Sequence, residues 1–122
     1  MSEVVRGKVP TVAASAGAQS LRPLFRDPAV EHVAVIDERQ RAVGVVSRVD
    51  FHLRTPVESS GAVLGLLSPG VIAVAGDLSL GAASALLVRR GLEGLLVPVR
   101  GGYACLFAAD VVRWVAQQSG EG

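Results

Sequence analysis

Serine and aspartate stand three apart in GVVSRVD, residues 44–50, with Arg48 between them. Ser47 closes a β-branched run and Asp50 opens the next element, so a hydroxyl, a cation and a carboxylate meet where a strand gives way to a helix. A carboxylate there can accept hydrogen bonds from a diol or satisfy the first amides of the helix. A hydroxyl beside backbone amides can meet an anion, and Arg48 adds positive charge next to it. Sixty residues on, ACLFAAD (104–110) keeps the aspartate as Asp110 but carries Phe107 where the serine stood.

Other chemistry finds little material. There is no paired nucleophile and base, and no glycine-rich phosphate loop of the Walker or Rossmann pattern. His32, His52 and Cys105 share no spacing that would hold a metal. Neither an enzyme nor a metal protein is expected. Cys105 is the single cysteine, which excludes an internal disulfide and reads as a small buried hydrophobe.

The elements that must position these groups come from a chain of 122 residues, 50% hydrophobic and 4% aromatic, so the core is built of Val, Leu, Ile and Ala. The net charge is +1 and the basic residues are scattered, which leaves no footprint for a nucleic-acid backbone. No apolar stretch is long enough for a membrane span. Arg6 and Lys8 precede VPTVAASAGA, which lacks the leucine-rich segment of a secretion signal. The expected location is the cytoplasm.

The chain repeats itself. A shift of 62 residues sets Thr11 on Ala73, Leu24 and Phe25 on Leu86 and Leu87, and Val30 on Leu92. Past Val35 and Val97 the shift falls to 60, because DERQR is a longer connection than RGG. Each half then reads as a short strand, a helix, two strands in a hairpin, and a closing helix. Gly101 and Gly102 suit a two-residue hairpin turn with both residues at positive φ. Ser79 caps a helix that Gly91 stops, and Ser20 caps a shorter one that admits Pro23 only in its first turn. Val111, Trp114 and Val115 share one face of the last helix. The organisation expected is a first repeat over 1–55, a linker with one helical turn over 56–69, a second repeat over 70–119, and a tail over 120–122. A half of about 60 residues buries too little surface to stand alone, so the halves are expected to form one unit.

Tandem βαββα repeats of α/β (α+β) class, with a hydrophobic strand running into Ser, two residues and Asp, resemble the cystathionine-β-synthase (CBS) domain pair. The resemblance runs from Val9 to about Gln117 and is carried by VAVIDERQRAVGVVSRVDF and GDLSLGAASALLVRRGLEGLLVPV. It implies a regulatory module, two repeats packed about a pseudo-twofold, that binds an adenosine-containing ligand such as AMP, ATP or S-adenosylmethionine in the cleft between repeats. Asp50 would take the ribose, Ser47 and Arg48 the phosphate, and the purine would lie near Val71, Ile72, Leu92 and Glu93. The second site, with Asp110, Phe107, Val9, Pro10, Val30 and His32, departs from the family pattern at Phe107 and at Ala104, where glycine is common. At most one nucleotide per chain is therefore expected. The resemblance also implies a homodimer associating through its helices and a separate regulated protein. The competing reading is a ligand-free association domain in which Asp50 does no more than cap its helix.

Overall fold

Aliphatic runs of five or six residues, each bounded by a turn that reverses the chain, fold as antiparallel pairs in both halves. The computed structural model describes residues 8–54, 61–74 and 79–120. Arg6, linker residues 56–60 and the side chain of Arg54 lie outside the described residues. The first set of elements is β1 (Thr11–Ala13), α1 (Arg22–Phe25), β2 (His32–Ile36), β3 (Ala42–Ser47) and α2 (Arg48–Arg54). The second is β4 (Val71–Ala73), α3 (Leu80–Arg90), β5 (Gly94–Val99), β6 (Gly102–Phe107) and α4 (Ala108–Gly120). This is the expected βαββα order, twice.

The chain divides into two compact units, Val9–Pro69 and Gly70–Gly122, the latter joined by the segment that ends at Lys8. Each holds a three-stranded sheet whose middle strand runs parallel to the first and antiparallel to the third. Thr11 faces Ala34 in one sheet and Ala73 faces Leu96 in the other; Val33 faces Val46, and Leu95 faces Leu106. The shifts of 62 and 60 seen in the sequence are thus the strand registers themselves.

The difference of two residues falls in the hairpin turns. In the first turn, one carboxylate oxygen of Asp37 accepts the amides of Arg39 and Arg41, both at 2.9 Å, and Gln40 takes a left-handed φ of 65°. In the second, Val99 pairs directly with Gly102, so the turn residues are Arg100 and Gly101. Only Gly101 has positive φ, at 80°. The expected turn at Gly101 and Gly102 is therefore displaced by one residue, because Gly102 is drawn into the ladder opposite Val99.

α3 starts and stops as its sequence dictates. Ser79 Oγ accepts the Ala82 amide at 3.0 Å, and Gly91 closes the helix at φ 61°. The helix of the first unit differs. Ser20 does not cap it; a 3₁₀ turn over Ala18–Leu21 leads straight into α1, with Pro23 in its first turn as required. Phe25 and Leu87, superimposed by the repeat, are both buried, each in its own unit's core.

The first core gathers Leu21, Phe25, Val33, Val35, Val46 and Phe51, with Val63 and Leu66 from a 3₁₀ turn over Val63–Leu66. The second gathers Ala83, Leu87, Leu95, Val97, Leu106 and Val111, with Trp114 partly buried against them. Val115, on the same side of the helix, is half exposed, and Val112 is exposed. Among the described residues no helix is long and apolar enough to cross a membrane.

Asp37→Ala removes the acceptor of two turn amides and is expected to lower stability by about 1 kcal/mol. Asp37→Asn, which keeps an oxygen there, is expected to retain most of it. Chemical denaturation of the three proteins checks both.

Candidate functional site

Because α2 begins on the residue after β3 ends, its first amides need acceptors from the strand end itself. Ser47 provides one: its Oγ accepts the Asp50 amide at 3.0 Å. Ser68 Oγ in turn accepts the Ser47 amide at 3.2 Å. An amide N–H only donates, so each hydroxyl must turn its single proton elsewhere. Both protons go to the same atom. Ser47 Oγ donates to Asp50 Oδ2 at 2.7 Å and Ser68 Oγ donates to it at 2.6 Å.

The result is a carboxylate fixed in place and wired to accept. Two hydroxyl donors on one oxygen suit the ionised form, which has only acceptors. Ser68 is itself anchored. Its amide donates to Val45 O at 2.8 Å, Val63 and Leu66 just before it are buried, and Leu67 lies over Gly44, where a Cβ would come within 3.2 Å of its Cδ2.

Ser47 and Arg48 both have partners within the unit. Ser47 is the helix cap, and its proton goes to Asp50. The Arg48 guanidinium is engaged by backbone carbonyls. Its Nη1 donates to Phe25 O at 2.8 Å, and its Nη2 to Asp27 O and Val30 O, both at 2.6 Å. The guanidinium stands 5.4 Å from the Phe25 ring centroid, and Glu31 Oε1 is 3.7 Å from Nε. Arg48 thus holds the carbonyls at the end of α1 and in the loop after it, a match for a planar cation with several donors. Ser68, by contrast, carries no signal of its own in the sequence. It lies in a Ser, Gly and Pro stretch whose local pattern reads as linker, and its partners are 18 and 21 residues away.

His32 sits directly across from Ser47 in the β2–β3 pair, within the first unit. Val30 gives its carbonyl to Arg48, and Pro10 gives its carbonyl to the Ala34 amide at 2.8 Å. Val9 begins this unit and is partly buried. In the second unit Val71 pairs with Gly94, Ile72 with Leu95, and Leu92 packs on the core. The Glu93 amide donates to Gly70 O at 2.8 Å and its carbonyl accepts from Ala108 at 2.8 Å, so both backbone groups are engaged inside the unit.

The second unit answers Ser47 and His32 with Phe107 and Gly94, again directly paired. The exchange is steric. A Cβ on Gly94 would lie 2.9 Å from Phe107 Cδ1, so the ring occupies the space that glycine leaves. Asp110 stays as the third residue of α4, buried, with Oδ1 accepting from Arg113 Nη1 at 3.2 Å. It keeps the favourable position of an acidic group in a first helical turn without a serine before it.

Residues 1–53 match the family model of the CBS domain. No curated protein matches the chain. Among solved structures, OpuCA of Staphylococcus aureus is 16% identical, covers 95% of this chain and 98% of its own, and superposes with a TM-score of 0.67. CBSX2, solved in complex with AMP, is 26% identical with 95% and 93% covered and a TM-score of 0.59. The cytosolic domain of the Mg2+ channel MgtE, solved in complex with ATP, is 19% identical with 90% and 46% covered and a TM-score of 0.64.

Ser47→Ala is expected to cost about 1–2 kcal/mol, as loss of a helix cap. Gly94→Ala is expected to cost about 1–3 kcal/mol through overpacking against Phe107, and Phe107→Ser in the same chain to restore part of that. Urea unfolding of the single and double variants reads both effects.

Proposed function

We propose that the protein, whose residues 1–53 match the CBS-domain model and whose fold is shared with a solved CBS-pair domain, is a cytoplasmic regulatory module built as a CBS pair. It binds an adenosine-containing ligand of the AMP, ATP or S-adenosylmethionine class at Asp50 and thereby modulates a separate protein. The observation that carries this reading is the Asp50 carboxylate, held by two hydroxyl donors on Oδ2 at the mouth of α2. A carboxylate has about four acceptor positions. A vicinal diol, with two hydroxyls to donate, is the natural complement of such a group. AMP in CBSX2 and ATP in MgtE support the choice of ligand class.

The Ser47 hydroxyl then acts on the ligand through Asp50, and Arg48 acts by holding the loop after α1. The second unit carries Phe107 where the first carries the Ser47 hydroxyl, which supports one nucleotide per chain. A second reading, association without a ligand, has its own observation. Val49 and Leu53 on α2 are 61% and 72% exposed, and Val112 on α4 is 68% exposed, apolar area available for a homodimer.

AMP is expected to raise the melting temperature of the native chain with the logarithm of its concentration, and titration calorimetry to give one site per chain. Asp50→Asn keeps an acceptor and removes the charge; it is expected to weaken AMP binding about ten- to a hundredfold while the fold persists. Native affinity in a folded Asp50→Asn protein would move the site elsewhere. No response to AMP, ATP or S-adenosylmethionine from a dimeric native protein would favour the association reading.

A further inference from the structure

We infer that Ser68 is a positioning residue for the ligand: its hydroxyl sets the Asp50 carboxylate in the orientation that reads a ribose diol. The inference rests on the assignment of Asp50 to the ribose and adds to it a residue from outside the Ser-x-x-Asp segment. Ser68 is 8% exposed and makes three hydrogen bonds, each to a different part of the site. Its amide donates to the end of β3 at Val45 O, its Oγ accepts the amide of the helix cap Ser47, and its proton goes to Asp50 Oδ2 at 2.6 Å.

That proton has no second choice. The Ser47 amide already fixes the acceptor side of the hydroxyl, so rotating the proton away would break the contact with Asp50 without relieving any other group. The Ser47 hydroxyl is tied to the same oxygen from within the helix turn, at 2.7 Å. Of the two, the Ser68 bond comes from another segment. Ser47 and Asp50 share one local turn; Ser68 arrives from the stretch behind buried Val63 and Leu66 and holds the carboxylate from a second segment of the unit. A carboxylate anchored from two directions loses rotamer freedom before the ligand arrives, and this lowers the ordering cost of binding.

Positioning and mere support of the fold differ in what they do to the ribose hydroxyls. The experiment is calorimetric titration of the full chain with AMP and with 2′,3′-dideoxy-AMP, which lacks the diol, for the native protein and for Ser68→Ala, Ser68→Cys and Ser68→Thr. The native protein is expected to prefer AMP. Ser68→Ala is expected to bind AMP about tenfold more weakly and the dideoxy nucleotide nearly unchanged, so that the preference collapses. Ser68→Cys, close in volume with a weak donor, is expected to behave likewise and stands in if Ser68→Ala does not fold. Ser68→Thr, which restores the hydroxyl, is expected to restore the preference.

Equal weakening of both nucleotides in the Ala and Cys variants would overturn the inference and leave Ser68 as a support of the fold. An undiminished preference for AMP would overturn it as well, with the ribose assignment intact. A native protein that binds both nucleotides equally, or neither, would overturn the ribose assignment and this inference with it.

Discussion

A backbone amide can give a proton and cannot take one, and the first unit is arranged around that asymmetry. The amides of Ser47 and Asp50 sit where β3 turns into α2 and must find acceptors. Two serine oxygens accept them, and each serine then has one proton left to place. Asp50 Oδ2 takes both. The direction of every bond in the cluster is set by the two amides at its start. A strand end, a helix start and a distant segment are joined by a single carboxylate oxygen.

The second unit shows what happens when the first term of that sequence is removed. With Phe107 at the strand end there is no hydroxyl to accept the amide three residues on, and no proton to send to Asp110. The ring instead needs room, and Gly94 gives it across the β5–β6 pair. Asp110 Oδ1 accepts from Arg113, a neighbour on its own helix. Two repeats with the same strand registers therefore end in different chemistry. In one, a carboxylate is held from outside its helix; in the other, the aspartate pairs with an arginine of its own helix.

Much of the fold is legible in the sequence because its information is local or periodic. The shifts of 62 and 60 match the registers wherever both hairpins pair regularly, since a slip would turn core side chains to the other face, and they part only at the bulge where Ile36 faces Ala42. Ser79 and Gly91 mark the ends of α3 by the conformations their types permit. The features that escape are set by contacts across the chain. Ser20 has the right type for a cap, but the chain has already entered a 3₁₀ turn at Ala18. Gly102 has the freedom for a turn, but its pairing with Val99 draws it into the strand. At the site, Ser47 and Asp50 are visible as a spaced pair, while Ser68 is hidden in a stretch without periodicity and Arg48 looks like an ordinary surface charge. Their tasks depend on carbonyls and carboxylates brought close by folding, which spacing alone does not record.

The grip of Arg48 on Phe25 O, Asp27 O and Val30 O also sets the order in which this unit can come apart. α1 is four residues long, too short to persist as a helix by itself. Its end is secured by a side chain that comes after β3, more than twenty residues later. Opening α2 thus releases the loop over residues 26–30 as well, and α1 has no independent existence before the β2–β3 hairpin has closed. Elements linked in this way form one cooperative foldon, in which the Ser47–Asp50 turn and α1 share a single opening energy.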